Sequence, residues 1–473
     1  MGAVARTTAV EHGHGWFFTA PWEGVARRRG DALGLRGLAD RYADALAPDL
    51  SNGTVDARWI TLLSWSLKAS HEVWVRADGG GGLGTREAQQ RRYAWLRPLE
   101  LLWVAWTLKA HEDPAGRQLR GQRSVRKWLN QDAQGERFGM RTEQFHRYRQ
   151  TGMYGAYRTL MRRVPGLTLS DRGRDGWTPS DVVNALFHHV NAELPRTLRF
   201  TDEVFERSTK WGLWQGREEH WWMKKGWDEE VQGITHLLPT EAGVAKRLPD
   251  EERRLLKHCL FPVGHRRSEV AQLLAEVQPG ARHVDLCDLL ARAPVLKASE
   301  SGPLLVTLPA FTRLADAGMD VMRALWSAVG ASQEARGPEV ADLASAPELQ
   351  HPLSRLTESS RAWNARADTS TLPAGIAAMA LASAMATARS PGEQLRSLAR
   401  HHELHGGGLR WFRLRQGRIE PLLPQNGAAA SLYRFRLWPL ARLAAQCGAA
   451  RTQAALDAAV NHDDEATDAG DET

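Results

Sequence analysis

Five tryptophans crowd one stretch of this chain: Trp211, Trp214, Trp221, Trp222 and Trp227. If Glu203 to Lys225 were a single helix, the first four would lie within a stripe of roughly 100°. A stripe that bulky must be sunk into a wide aromatic core or offered as a stacking surface, and either demands long helices around it. Gly212 and Gly216 interrupt such a helix, and further tryptophans stand at Trp103, Trp106, Trp326, Trp411 and Trp438. That spread favours aromatic cores in several helical units, with an exposed platform as the alternative.

The 473-residue length is enough for two to four domains, and a 42% hydrophobic fraction supplies real cores. The expected fold class is mainly α: a multi-domain helical protein with a small C-terminal β-hairpin. The expected units are 1–165 (helical, with a basic segment at 117–163), 166–300 (tryptophan-rich), 301–400 (helical), 401–460 (hairpin and helix) and an acidic, disordered tail at 461–473.

Helix signals recur along the chain. Helices are expected from Gly37 to Ala47, from Ala57 to Val75, and from Arg86 to Glu112 with Pro98 bending or breaking the last. Thr178 and Pro179 read as an N-cap and first helical position. Later helices are expected to begin near Pro249, Ser268, Val284 and Pro303. Gln333 to Pro352 reads as a loose connection before a helix from Leu353. A helix pair, Leu372–Arg389 and Pro391–His401, precedes the glycines at 406–408. Leu409–Pro421 then reads as a hairpin turning at Gln416-Gly417.

Charge points to the partner. The net charge is +7, and Asn461–Thr473 carries six carboxylates and no Lys or Arg, so the remaining body is near roughly +13. Basic residues concentrate at 117–163, where Arg117, Arg120, Arg123 and Lys127 would share one helical face, followed by Arg141, Arg147 and Arg149. Trp128, Phe138, Phe145, Tyr148, Tyr154 and Tyr157 are interleaved with them. Arginine grips phosphate in a bidentate fork and aromatic rings stack on bases, so this segment is a candidate nucleic-acid contact. Its alternative is a solvated basic face above a core. The hairpin adds Arg413, Arg415 and Arg418; it reads either as the wing of a winged helix or as a structural hairpin packing Trp411 and Phe412.

Catalytic signatures are sparse. Gly79, Gly81 and Gly84 satisfy GxGxxG without a βαβ context, and no GxxxxGK[ST] occurs, which argues against a P-loop ATPase. Cys259, Cys287 and Cys447 are widely spaced with no CxxC, suiting a reducing cytoplasm. His401-His402-Glu403-Leu404-His405 puts two histidines one helical turn apart but is not HExxH. Glu218-Glu219-His220 with Lys224 and Lys225 would suit a metal-dependent nuclease, and His188-His189 is a weaker candidate. No metal or cofactor is expected. The N-terminus has no apolar signal core and no run reads as a membrane span, so a soluble, cytoplasmic protein is expected.

Three stretches carry a resemblance: Thr54-Val-Asp-Ala-Arg-Trp-Ile-Thr-Leu-Leu-Ser-Trp65, Leu248-Pro-Asp-Glu-Glu-Arg-Arg-Leu-Leu256, and the helix from Ala310 to Leu325. Together they resemble an uncharacterised bacterial family encoded beside restriction and phage-defence genes. The resemblance implies a bacterial cytoplasmic protein in a defence or DNA-modification setting; it brings no catalytic residues with it. The resulting expectation is a DNA-binding recognition subunit of a multi-protein defence system, partnered by nucleic acid and other defence proteins. A nuclease component and a non-enzymatic assembly scaffold are the alternatives.

Overall fold

The computed structural model describes residues 31–78, 86–110, 119–122, 125–126, 137–138, 152–169, 177–196, 199–200, 223–224, 232–239, 245–332, 336–366, 375–407, 410–422 and 435–460. The fold is mainly helical, with a two-stranded hairpin near the C-terminus. The tryptophan-rich stretch lies outside the described residues, except that Met223–Lys224 pairs antiparallel with Arg137–Phe138. The glycine loop at 79–84 and the acidic tail at 461–473 also lie outside them.

The N-terminal part is built on α2 (Ala57–Asp78), which follows α1 (Arg36–Leu46). Asp56 starts α2 by accepting the Arg58 amide on Oδ1 at 2.8 Å, a helix N-cap. Nearly every side chain of α2 is buried, so its hydroxyls need internal partners. Ser64 donates to the Ile60 carbonyl at 2.7 Å and Ser66 to Leu62 at 2.8 Å. Helices α3 (Arg86–Ala110), α4 (Met153–Arg163) and α5 (Asp181–Glu193) pack around it. Trp65 meets Trp103 edge-on at 5.6 Å, Trp103 meets Trp106 at 4.9 Å, and Tyr154 stacks on Trp177 at 4.6 Å. The aromatic cores expected from the sequence are present here.

Two local features are settled in this part: Pro98 does not break its helix, and the expected Thr178 cap is not the one used. Helix α3 runs through Pro98 without ending, because Trp95, Leu96, Leu99, Leu102, Trp103 and Trp106 on either side are buried in the same core. The cap of α5 is Ser180, not Thr178: Ser180 Oγ accepts the Val183 amide at 3.1 Å and donates to the Gly166 carbonyl at 2.5 Å. Thr178–Pro179 is instead a short strand paired with Thr168–Leu169.

The next helices are α6 (Asp250–Leu260), α7 (Arg266–Leu274), α8 (His283–Arg292), α9 (Pro294–Lys297) and α10 (Gly302–Val306). They lead to α11 (Leu308–Ala331), the axis of the C-terminal part, with Pro309 in its first turn where no amide bond is lost. Helices α12 (Val340–Ser345) and α13 (Pro347–Asn364) replace the loose connection expected at 333–352. Pro352 sits inside α13 at a local cost of about 3 kcal/mol. That cost is offset because Leu349, Leu353, Leu356 and Trp363 bury one face of α13 against α11. Helices α14 (Ile376–Thr387) and α15 (Pro391–His405) follow, then the hairpin β1 (Phe412–Arg415) and β2 (Arg418–Pro421), and finally α16 (Leu437–Gln446) and α17 (Gln453–Val460). α1 is tied to the distant chain through Tyr42, whose ring lies 5.0 Å from Phe311 and 5.6 Å from Phe435.

Candidate nucleic-acid interface

The hairpin forms where its sequence dictates. Gln416 (φ 50°) and Gly417 (φ 79°) are both left-handed, the geometry of a two-residue type I′ turn, and Arg415 pairs directly with Arg418. Alternation sends Phe412 and Ile419 into the core and leaves Arg413 and Arg415 exposed on the other face. Trp411 is also buried, 5.7 Å from Trp326, so the hairpin packs its aromatics while presenting arginines. A third segment joins the sheet: the Val340 amide donates to the Gly417 carbonyl at 2.9 Å and the Ile419 amide to the Pro338 carbonyl at 3.1 Å.

Helix α15 supports the hairpin from the other side. Ser390 caps it by accepting the Glu393 amide at 3.3 Å, and Glu393 returns a bond by accepting the Arg389 amide at 2.7 Å. Leu395, Leu398, Ala399, His401 and His402 face inward. Arg396 and Arg400, one turn apart, face outward. With Glu403, Leu414, Gln416 and Gly417 they line a cleft of about 330 Å³ between helix and hairpin turn. Glu403 spends one oxygen on the Leu414 amide at 2.7 Å. Neither Arg396 nor Arg400 forms an ion pair among the described residues, although Glu393 and Glu403 are each within a turn of them on α15. The cleft is thus shallow and open, lined by two guanidinium groups without an ion pair among the described residues, the Gln416 side-chain amide, and the Glu403 carboxylate, which keeps its charge while accepting the Leu414 amide.

The expected nucleic-acid residues divide unevenly. Arg117, Arg123, Lys127, Arg141, Arg147 and Arg149 lie outside the described residues. Arg120 is exposed but sits in a turn before Gly121 (φ 83°), not on a helical face, and packs near Gly53. Arg413 is held by its cross-strand partner Glu420 at 2.6 Å, and Arg418 by Glu339 at 2.6 Å and the Gly337 carbonyl at 3.0 Å. Of the hairpin arginines, Arg415 alone has no ion pair among the described residues. Arg396 and Arg400 were not singled out by the sequence reading; the available signal was an Arg-x-x-x-Arg spacing on the solvent side of an amphipathic helix.

The histidine motif has a structural role. His402 donates from Nδ1 to the Ala32 carbonyl at 2.7 Å and accepts the Trp411 amide on Nε2 at 3.0 Å, so both ring nitrogens are committed. His401 donates from Nε2 to the Leu33 carbonyl at 2.8 Å. These bonds clip residues 31–33 onto the C-terminal end of α15, helped by the Gly407 amide on the Asp31 carbonyl at 2.7 Å. Burial lowers both histidines, His401 to about 4, so both are neutral near pH 7. Among the described residues no three His, Cys, Asp or Glu side chains are grouped to hold a metal ion. Glu218, Glu219, His220 and Lys225 lie outside the described residues, and nothing is described of the Lys224 side chain.

A second polar cluster is buried beneath α2. Glu252 of α6, fully buried, accepts from Arg58 and from Thr61 Oγ1 (2.5 Å), with His189 Nε2 3.9 Å away. Burial raises the Glu252 carboxyl, while Arg58 and Thr61 pull it back down. Beside it Arg442 of α16 pairs with Asp56 at 3.0 Å, and Gln446 accepts the Ala57 amide at 2.8 Å. Two of the segments that carry the sequence resemblance therefore meet here, and their polar residues serve the packing of α2, α6 and α16. The three cysteines are buried and free, and burial pushes the Cys287 thiol up to about 12. No helix among the described residues is long and apolar enough to cross a membrane. No protein-family model, curated protein or solved structure matches the chain.

Proposed function

We propose that the chain is a nucleic-acid-binding recognition component, with DNA as its ligand. In this reading it works inside a multi-protein bacterial assembly and has no ATPase of its own. The observation that carries the reading is the pair Arg396 and Arg400, without an ion pair among the described residues and set in a cleft against the hairpin turn, in a chain of net charge +7. Arg413 and Arg418 are each neutralised by a carboxylate partner, and Arg396 and Arg400 have none among the described residues. Two that stand together without one suit an external polyanion, and guanidinium is the side chain best matched to phosphate. Exposed Arg415 at the hairpin end adds a third charge. The pairing of residues 338–339 with β2, the helices leading to α15 and the hairpin after it also suit a winged-helix arrangement, with α15 beside its wing. The defence setting rests on the sequence resemblance alone.

The test is binding of a labelled DNA duplex by the purified full chain across a salt series. Arg396, Arg400 and Arg415 bring three positive charges to the duplex, which sets a log–log slope of about −3, steeper if other basic segments contribute. Absence of binding at about 50 mM salt would sink the reading.

A further inference from the structure

We propose that α15 is a groove-reading helix: its solvent stripe enters the major groove of double-stranded DNA while the hairpin turn rides the adjoining backbone. The inference rests on the nucleic-acid reading above and specifies which nucleic acid and how it is read.

Three observations lead to it. Arg396, Arg400 and Leu404 fall within a stripe of roughly 80° along α15, all exposed, Leu404 at 79%. A stripe of arginine followed by an exposed aliphatic side chain matches what base edges offer: guanine O6 and N7 accept a bidentate guanidinium, and the thymine methyl takes an apolar contact. An isolated leucine on a solvated helix needs no explanation; one that continues a line of unpaired arginines gains one.

The second observation is shape. The 15-residue helix is about 22 Å long, and a major groove about 12 Å wide admits a helix. Its inner face is fixed from several sides: by β1 through the Glu403–Leu414 bond, by α13 through Gln394 donating to Thr357 at 2.8 Å, and by residues 31–33 through the two histidines. A reading helix has to be held that rigidly for side-chain forks to find base edges.

The third observation favours duplex over single strand on this face. Binding of single strands relies on exposed aromatic rings as stacking platforms. Among residues whose side chains are described, no Trp, Tyr or Phe is exposed; Trp411 and Phe412 of the hairpin are buried and Trp438 is half-buried beside Arg442. The exposed large hydrophobic side chains among the described residues are aliphatic. Among the described residues this surface offers guanidinium groups and an aliphatic side chain, and no exposed aromatic ring as a stacking platform.

The experiment compares three probes of about 20 nucleotides or base pairs at about 50 mM salt: a GC-rich duplex, an AT-rich duplex and a single strand. Each is titrated against the full chain, Arg396→Ala/Arg400→Ala and Arg396→Lys/Arg400→Lys. The expected result is duplex binding at least about tenfold tighter than single-strand binding, with discrimination between the two duplexes. The alanine pair should lose most of the duplex affinity. The lysine pair should keep phosphate affinity yet lose about tenfold of the discrimination, because an ammonium cannot make the bidentate fork. Both pairs are on an exposed face, and matching melting curves show that they fold. Equal binding of duplex and single strand, or undiminished duplex discrimination in the lysine pair, overturns this inference while leaving nucleic-acid binding intact. No binding to any probe overturns both.

Discussion

Replacing Glu252 by alanine should destabilise the chain by about 3–5 kcal/mol, the range for stranding one partner of a buried ion pair. Glu252 is fully buried, and the Arg58 side chain that it neutralises is only 9% exposed. The mutation leaves that guanidinium without its carboxylate and the Thr61 hydroxyl without its acceptor, in a region walled by α2 and α6. Arg58→Met should cost a similar amount, because it strands the carboxylate. The double variant Arg58→Met/Glu252→Leu removes both charges and keeps apolar volume. Its expected cost is about 1–3 kcal/mol, set mainly by the orphaned Thr61 hydroxyl. With Glu252→Leu as the matching single variant, expected to cost as much as Glu252→Ala, the coupling between the two sites is about 3 kcal/mol or more. Urea unfolding followed by both far-UV circular dichroism and tryptophan fluorescence measures it; the two probes should report one transition before a free energy is taken. A loss below about 1 kcal/mol for Glu252→Ala, or strictly additive single variants, would refute the view that this cluster holds α6 to α2.

Other outcomes follow from the same contacts. The neutral His401 has a folded-state value near 4 against 6.5 unfolded, so the unfolded chain takes up the proton first. Stability should be full above pH 6.5 and fall as pH drops toward 4, by at most about 3 kcal/mol from this residue; His401→Gln, whose amide keeps the Leu33 bond, should flatten that acid limb in pH-dependent melting curves. Gly337 has φ +73°, and a Cβ there would run into the Ile419 carbonyl. Gly337→Ala should therefore cost about 2 kcal/mol or more, free residues 338–339 from the hairpin and weaken duplex binding, which melting and titration together would read. The buried thiols of Cys259, Cys287 and Cys447 should resist a disulfide exchange reagent in the native chain and react together on denaturation; rapid reaction of any one in the folded state would contradict its burial.

How far the sequence reaches depends on whether a feature is local. The hairpin was legible because strand alternation and the Gln416-Gly417 turn are short-range chemistry. α2 was legible because Ala57 to Val75 is rich in apolar residues over a stretch too long for a strand. The continuity of α13 through Pro352 was not, since the local signal reads as a break and only burial of Leu349, Leu353 and Trp363 against α11 outweighs it. The cleft was not legible either. Arg396 and Arg400 look like any solvated helix face until the fold shows Glu393 turned to a cap and Glu403 to the Leu414 amide. Conversely, Arg413 and Arg418 looked free in sequence, and their acidic partners Glu420 and Glu339 emerge only from strand register and from a segment that joins the sheet from far upstream.

Whether Arg396 and Arg400 grip DNA is read from the salt dependence of duplex affinity. Wild type and Arg396→Ala/Arg400→Ala are titrated with the same duplex between about 50 and 200 mM salt, and log affinity is plotted against log salt. Removing two positive charges from the interface should make the slope shallower by about 2 and weaken binding at every salt concentration. An unchanged slope with unchanged affinity would place the DNA contact elsewhere on the chain and contradict the account.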